Sequence, residues 1–414
     1  MKEYDLVMKG IGQTYDSVSQ MEPMFPSKET QNLSDMAVDL VRDSAALGNI
    51  FRSHTREALV SLLRQMNSYY SNLIEGHNTR PIDIEKAMRL EYADEPAKRA
   101  HQFEGKAHIE VQQLIEDRLK QSPELDICST EFLTWIHRAF YERMPPEFRW
   151  VFNEARQSKQ EIVPGELRRR EVAVGKHIPP TAASLNEFLA RFSAVYAPEK
   201  LSQLKRIIAC AASHHRLAWI HPFLDGNGRV TRLFTHAYLI RAGVDGHRLW
   251  MASRGFARRR DDYMNALIGA DSPRMSDLDG RGNLSDNGLA KFCEFFLRTA
   301  LDQVAFMGGL LELGGLEARM VAYAERQATL GMLDPAAGFL LRDVLLRGEI
   351  ARGEAVRITG KPERTARRIV AALLERNLLT SETPKGTLRI AFPAKAVGYY
   401  FPRLYPEGVE HDLD

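Results

Sequence analysis

The sequence has few cysteines and almost no net charge, and each of these absences excludes a class of protein. Cys128, Cys210 and Cys293 stand far apart along 414 residues, so neither a disulfide framework nor a cysteine-based zinc site is indicated. The formal net charge is +2, which gives no overall attraction to nucleic acid or to a membrane surface. A reducing cytoplasm is therefore the simplest location for the chain.

Long apolar runs are absent as well. No stretch approaches the roughly 20 apolar residues that a membrane-spanning helix needs, and residues 1–5 do not begin a signal peptide. The sequence shows no internal repeat and no low-complexity tract. The hydrophobic fraction of 44% is still enough for sizeable cores, and the length predicts two or three domains.

Helical periodicity dominates what is present. After a polar segment at residues 1–32, expected to pack as an extended arm, apolar residues recur three and four positions apart from about Thr55 to Glu75 and predict one long amphipathic helix. The fold class is therefore mostly α. Further helices are predicted near residues 82–91, 95–120, 129–141, 183–195 and 199–220. Residues 161–178 differ, since Ile162–Leu167 and Glu171–Gly175 have the pattern of a short β-hairpin.

Residues 336–403 have the pattern of a separate small domain, a winged helix-turn-helix. Helices are predicted at Gly338–Leu346, Ala351–Ile358 and Pro362–Arg376, followed by a hairpin over Leu378–Ile390. The third helix places three arginines opposite its apolar face, and the segment has an excess of Lys and Arg over Asp and Glu. Contact with DNA and docking to a protein or to a second copy of the chain both fit this basic face. The arginines are Arg364, Arg367 and Arg368.

The most informative stretch is residues 221–232, HPFLDGNGRVTR. Glycines on both sides of Asn227 allow a turn whose N–H groups face an anion, and the apolar residues that follow predict a helix whose N-terminus favours phosphate. Arg229 and Arg232 are three apart and can bind one oligophosphate from the same side. Asp225 is suited to Mg²⁺, and His221 to accepting a proton near neutral pH. These parts indicate phosphoryl or nucleotidyl transfer to a hydroxyl.

At every specified position this stretch resembles the signature of the Fic family, His-x-Phe-x-(Asp/Glu)-Gly-Asn-Gly-Arg-x-x-Arg. The resemblance implies a mostly helical core that transfers the AMP part of ATP to a protein hydroxyl. It implies that His221 is the general base and Asp225 the Mg²⁺ ligand, and that Phe223 anchors the loop in the core. The groups implied to bind the phosphates are Gly226, Asn227, Gly228, Arg229 and Arg232.

A second string, Ser71-Asn72-Leu73-Ile74-Glu75-Gly76, resembles the Fic inhibitory motif, (Ser/Thr)-x-x-x-Glu-(Gly/Asn). The resemblance implies that Glu75 pairs with Arg232 and keeps the γ-phosphate of ATP from binding productively. Its position before the core matches the subclass that has an N-terminal inhibitory helix. The resemblance also allows a second role, in which this glutamate helps to remove AMP from a modified protein, and the sequence does not separate the two roles. Gly76 also fits an ordinary helix C-terminus.

Further expectations follow from the resemblance. The hairpin at 161–178 resembles the family's flap, which pairs with a target segment as an added strand. Tyr263 and Asp271 lie where the family places groups near the adenosine. The chain divides into residues 1–110 with the inhibitory helix, 111–301 with the catalytic core, a helical linker at 302–335, and 336–414. The flap residues expected to contact the target are Val163, Pro164, Gly165, Glu166 and Leu167.

The sequence thus predicts a protein adenylyltransferase with ATP as substrate, Mg²⁺ as cofactor, and a protein with a Ser, Thr or Tyr hydroxyl as partner, this chain itself included. Some members of the family transfer UMP, phosphocholine or a terminal phosphate, so the sequence does not decide which donor substrate this chain uses. The alternative is a DNA-binding regulator whose core only senses nucleotide. A metal-dependent hydrolase built on His221 and Asp225 lacks further metal ligands. A homodimer through the arm or the C-terminal domain is compatible with the sequence.

Overall fold

The computed structural model describes residues 14–28, 30–153, 158–175 and 177–405. Sixteen α-helices and five short strands lie in these ranges, which confirms the mostly α fold class. The parts of the predicted N-terminal arm and C-terminal tail at residues 1–13 and 406–414 lie outside them. No helix in the described ranges combines the length and the apolar character needed to cross a bilayer.

The helices of the first half lie close to their predicted positions, because each has one apolar face that the core buries. The predicted amphipathic helix runs from Ser53 to Ile74, and Gly76 follows it with a positive φ of 88°. In chain order they are α1 (Thr30–Gly48), α2 (Ser53–Ile74), α3 (Pro81–Met88), α4 (Pro96–Gln121), α5 (Thr130–Glu142), α6 (Leu185–Tyr196) and α7 (Gln203–Ile220).

The second half of the core continues with helices that enclose α7. Helices α7 and α8 pack against each other, and α11 packs against α1, α7 and α10. The domain boundaries predicted after residues 110 and 301 fall inside the continuous helices α4 and α11, so the chain does not divide at either position. The helices are α8 (Asn227–Ala242), α9 (Ala252–Arg258), α10 (Arg260–Asp271), α11 (Asp286–Leu310) and α12 (Leu313–Thr329).

The hairpin predicted over residues 161–178 was placed wrongly. Antiparallel strands β1 (Trp150–Asn153) and β2 (Ser158–Glu161) precede that segment, with Trp150 opposite Glu161. Val163–Leu167 instead makes a turn closed by the Glu166 N–H donating to the Val163 carbonyl. Pro164 has no N–H to donate and Gly165 has a φ of 81°, so neither fits a strand ladder.

The C-terminal segment contains the predicted three helices and hairpin. They are α13 (Ala337–Arg347), α14 (Ala355–Thr359) and α15 (Glu363–Glu375), with strands β4 (Leu379–Thr380) and β5 (Leu388–Ile390). A further strand, β3 (Glu349–Ile350), pairs with β5, so the antiparallel sheet has the order β3-β5-β4. Helix α16 (Ala394–Tyr400) follows and packs on α12 and α3.

Helix α2 joins the two halves of the molecule. The Tyr70 hydroxyl donates to the carbonyl of Leu404 over 2.5 Å, and the Thr55 hydroxyl reaches the carbonyl of Leu345 at 3.4 Å. Both side chains on α2 are fully buried. The helix that carries Ser71 therefore contacts both the core and the C-terminal segment.

Candidate active site

The stretch 221–232 forms a tight loop between α7 and α8. Helix α7 ends at Ile220 and is followed by His221, which has a left-handed backbone with a φ of 49°; Gly226, with a φ of 78°, directly precedes α8. A non-glycine residue in that region is strained, and such strain concentrates at functional sites. Phe223 is fully buried and its ring stacks on His137 at 4.1 Å, which confirms that it anchors the loop in the core.

Two polar side chains hold the loop in shape. The Asn227 amide donates to the carbonyl of Phe223 over 2.8 Å and accepts from its N–H over 2.9 Å. Arg168 donates from Nε to the carbonyl of His221 over 2.8 Å, and its N–H donates to Pro222. The side chain of Asn227 thus shapes the turn, and what this residue can offer a phosphate is its N–H, which the first turn of α8 leaves without an intrahelical acceptor.

The His221 imidazole is neutral at physiological pH. Burial, followed by the nearby charges of His177 and Arg168, lowers its pKa to about 4. A neutral imidazole can accept a proton, whereas a protonated one cannot. His221 lies on the wall of a cleft and so meets the chemical requirement of a general base at pH 7.

Asp225 is suited to a hard cation. Its side chain is 48% exposed, one oxygen accepts from the Tyr141 hydroxyl, and the same oxygen lies 3.6 Å from an Arg229 nitrogen. Mg²⁺ is commonly held by one or two carboxylates together with substrate phosphates and water. The carboxylate of Asp225 beside a phosphate-binding loop fits that donor set.

Each motif arginine is buried against a carboxylate. Arg229 donates to Glu104 over 2.8 Å, and Arg232 donates to Glu75 over 2.5 Å. Arg232 also donates from Nε to the Ser71 hydroxyl over 2.9 Å. The predicted pairing of the Ser71–Glu75 helix end with Arg232 is therefore confirmed as a contact.

The carboxylate of Glu75 occupies the start of helix α8. A Cβ atom added at Gly228 would lie 2.3 Å from one Glu75 oxygen and 3.0 Å from an Arg232 nitrogen. Burial alone would raise the pKa of Glu75, but the charges of Arg232 and Arg229 outweigh it and hold that pKa below its ordinary value. Glu75 is thus a carboxylate anion in the place where the helix end and the arginines favour negative charge.

The cleft has two parts, which we call the apolar lobe and the polar lobe. The apolar lobe has a volume of about 880 Å³, and its apolar wall consists mainly of Tyr15, Ile74, Trp219, Met264, Leu267 and Ile268. The polar lobe has a volume of about 350 Å³ and includes His77, Glu104, Tyr141, Asp225 and Arg229. Glu75, His221, Asn227 and Gly228 line both lobes, so the motif loop stands at their junction.

Tyr263 and Asp271, which the resemblance places near the adenosine, both line the apolar lobe, and their polar groups bond to protein side chains. The Tyr263 hydroxyl bonds to His214 Nε2 at 2.8 Å, and Asp271 lies 3.0 Å from His215. These pairs hold the lobe wall in place. Their contact with a nucleotide stays a prediction.

Several site residues escaped the sequence reasoning. Glu104 comes from the middle of α4 and Tyr15 from the N-terminal arm, and both line the cleft. Arg168 comes from the segment predicted as a flap and contacts the motif loop at the carbonyl of His221. No local sequence pattern reports these long-range contacts. The run Trp150–Phe152 is rich in β-forming residues and could have indicated the position of β1. Trp150 lines the polar lobe and is 47% exposed.

Comparison with known proteins agrees with this geometry. Residues 127–239, which include the whole loop and most of α8, match the model of the Fic/DOC family. Protein adenylyltransferase Fic from Drosophila erecta is 44% identical over 79 residues, which are 19% of this chain and 16% of that protein. The protein of the same name from Drosophila melanogaster gives the same values. The aligned part is thus about a sixth of the length of these relatives.

Two solved structures resemble the chain at low sequence identity. A Fic family protein from Desulfovibrio desulfuricans has a TM-score of 0.47 at 17% identity, covering 86% of this chain and 96% of that one. Fic-1 from C. elegans has a TM-score of 0.48 at 16% identity, covering 69% of this chain and 76% of that one. The match to the family model, and not these two structures, shows that residues 127–239, which contain His221 and Arg232, form a Fic/DOC family domain.

Proposed function

We propose that this protein transfers the AMP part of ATP to a hydroxyl of a protein. The observation that carries the proposal is the position of the neutral His221 imidazole at the junction of the two lobes, beside the start of α8 and two buried arginines. The matched relatives are named protein adenylyltransferases, which supports this reaction over the other transfers.

The lobes suggest how the donor binds. The apolar wall of Ile74, Met264 and Leu267 suits a nucleobase, while the N-terminus of α8 and the arginines suit the phosphates. His221 accepts the proton of the target hydroxyl as its oxygen forms a bond to the α-phosphorus. The bond between the α-phosphorus and its bridging oxygen breaks, and pyrophosphate leaves. Mg²⁺ held by Asp225 would neutralise charge on the phosphates.

Glu75 inhibits this reaction in our proposal. Its carboxylate occupies the position beside Arg232 and the first turn of α8 that a γ-phosphate would need, and the two anions cannot bind there together. Nucleotide that binds beside Glu75 has its phosphates displaced, so the α-phosphorus is not in line with the hydroxyl. The alternative role for Glu75, in removing AMP from a modified protein, uses the same position.

Labelled ATP tests the proposal. Wild type and the Glu75→Gly variant are incubated with ATP labelled at the α- or the γ-phosphate, and label on protein is measured. We expect α-label on protein, more of it with Glu75→Gly, and none with His221→Ala. General-base help is typically worth about 10²–10⁴-fold, so His221→Ala should lose at least that factor while it still binds ATP.

The control for Glu75→Gly is Glu91→Gly, which removes a surface glutamate that is 58% exposed at its side chain and pairs with Arg89. Protein label from the γ-phosphate would show a kinase instead, and no label would show a binding or hydrolytic role. Equal transfer by Glu75→Gly and wild type would refute inhibition by Glu75. Loss of ATP binding in His221→Ala would contradict its role as base.

We propose a second function for the C-terminal segment, DNA contact by a winged helix-turn-helix. The supporting observation is that Arg364, Arg367 and Arg368 are all exposed on α15, while the opposite face of that helix is buried. Replacement of the three arginines by alanine should weaken binding to mixed duplex DNA and reduce its salt dependence, since each phosphate contact releases counterions. Lys395→Ala, exposed on α16, is the control. Unchanged binding and salt slope would exclude this helix as a DNA contact.

A further inference from the structure

A group of three side chains lies at the polar lobe, with His77 and Glu104 on its wall and His101 beside them. The proposed transfer does not require them as ligands. His77, His101 and Glu104 each offer a metal-binding atom, and these three atoms lie within 4.8 Å of one another. The His77 and His101 rings are stacked with centroids 4.3 Å apart, and His77 Nδ1 lies 2.7 Å from Glu104 Oε2. Within the described part of the chain they form a three-membered group of metal-ligating type.

The fold holds these groups from two directions. His101 and Glu104 are three residues apart on α4 and therefore share a helix face. His77 approaches from the loop that follows α2, two residues after Glu75. Glu104 Oε1 accepts from Arg229 over 2.8 Å, so Arg229 fixes the carboxylate and leaves Oε2 directed at His77. A hydrogen bond of this kind to a ligating carboxylate is typical of metal sites.

We propose that His77, His101 and Glu104 bind a divalent transition-metal ion of the Zn²⁺ class. Two imidazole nitrogens and one carboxylate oxygen are the donor set of three-ligand zinc sites, and a water in the adjoining polar lobe can complete four-coordination. Mg²⁺ is a poor occupant, because it prefers oxygen ligands in octahedral geometry. The site is thus chemically distinct from the carboxylate of Asp225.

Binding of the ion has a defined proton balance. A hydrogen bond of 2.7 Å joins His77 Nδ1 and Glu104 Oε2. An ion that binds both atoms has to displace the proton between them. The apparent affinity should fall as the pH is lowered and the displaced proton should appear in solution.

Occupation would also tie the segment after Glu75 to α4. The metal replaces a hydrogen bond between His77 and Glu104 with a stronger link, while Glu104 Oε1 keeps Arg229. The thermal midpoint of the protein should rise with Zn²⁺ concentration, because an ion that binds the folded state alone stabilises it.

The test measures Zn²⁺ binding to tag-free protein without nucleotide or acceptor, by calorimetry, with His101→Gln and Asp225→Asn as a matched pair. We expect one ion per chain for wild type and for Asp225→Asn. We expect His101→Gln to bind Zn²⁺ at least about 10- to 100-fold more weakly. Loss of a residue that only hydrogen-bonds to a metal ligand already lowers metal affinity by this factor. His101→Cys, which supplies another zinc ligand, should restore binding. Because neither nucleotide nor acceptor is present, the outcome does not depend on AMP transfer.

Equal affinity of wild type and His101→Gln, or loss of binding in Asp225→Asn alone, would overturn the proposal. Circular dichroism checks that the variants fold. Should His101→Gln fail to fold, NMR of the wild-type histidine rings decides the matter independently. Zn²⁺ must then shift the ring signals of His77 and His101 first, and a first shift at any other histidine would exclude the site.

Discussion

At the scale of single residues, the site depends on side chains whose charge differs from what exposure to water would give. His221 is neutral because desolvation and nearby positive groups lower its pKa, and Glu75 is charged because two arginines face it. The sequence identified both residues and their roles as expectations. It did not identify Glu104, because a glutamate in the middle of an amphipathic helix has no local mark that distinguishes it from a surface residue.

The pKa of His221 gives the first prediction. Its folded value of about 4 lies below the ordinary 6.5, so the ring should stay neutral as the pH falls from 8 to about 5.5. NMR of selectively labelled histidine checks this, with the His221 signal assigned by its absence in His221→Ala. A ring that protonates with a midpoint near 6.5 would contradict the burial that we describe.

At the scale of secondary-structure elements, α2 is both the inhibitory helix of our proposal and the support of the C-terminal segment. Its end places Ser71 and Glu75 against Arg232, and its middle binds the segment around Leu404 through Tyr70. A displacement of α2 would therefore affect both its contact with the C-terminal segment and its pairing with Arg232. This connection lies between residues more than 300 positions apart, which no sequence pattern reports.

Tyr70→Phe tests the support. The change removes a fully buried hydroxyl and leaves the Leu404 carbonyl without its donor, which typically costs about 1–3 kcal/mol. Urea unfolding should show a lower midpoint than wild type. Tyr399→Phe is the control, since Tyr399 is only partly buried. A midpoint unchanged in Tyr70→Phe would show that α2 does not depend on this bond.

Secondary-structure elements could be predicted where the apolar periodicity was strong. The prediction was unreliable where turn residues such as Pro and Gly determine the backbone conformation. Helices α2, α4 and α7 begin and end within about four residues of prediction, because their apolar faces repeat over several turns. The hairpin was misplaced, since Val163–Leu167 was treated as a strand despite Pro164 and Gly165. The true hairpin exposes two aromatic side chains, Trp150 and Phe152.

At the scale of the whole molecule, the core contains histidines that must stay uncharged. Burial lowers the pKa of His108 and His214 to about 3 and that of His137 to about 4. In the unfolded chain these rings take up protons below about 6.5, whereas in the folded protein they do not. Stability should therefore rise with pH across this window and be lost as the pH falls from about 6.5 to about 4.

This acid sensitivity is the third prediction. Each such group contributes up to about 1.4 kcal/mol per pH unit within its window. Urea unfolding at pH 7.5 and 5.5 should show a lower midpoint at the lower pH. His108→Leu provides the control, since neither ring nitrogen of His108 has a hydrogen-bond partner among the residues that the structure describes, and an apolar side chain can replace the ring. We expect this variant to lose less stability on acidification, and equal losses would contradict the assignment.

Gly228 has one more consequence. A methyl group at position 228 would collide with the Glu75 oxygen. Glycine therefore leaves room for the Glu75 carboxylate and, under the proposed function, for a phosphate of the nucleotide. Under the proposed function, inhibition and nucleotide binding compete for this one position at the start of α8, so a side chain at residue 228 would displace the Glu75 carboxylate and also narrow the space for a phosphate.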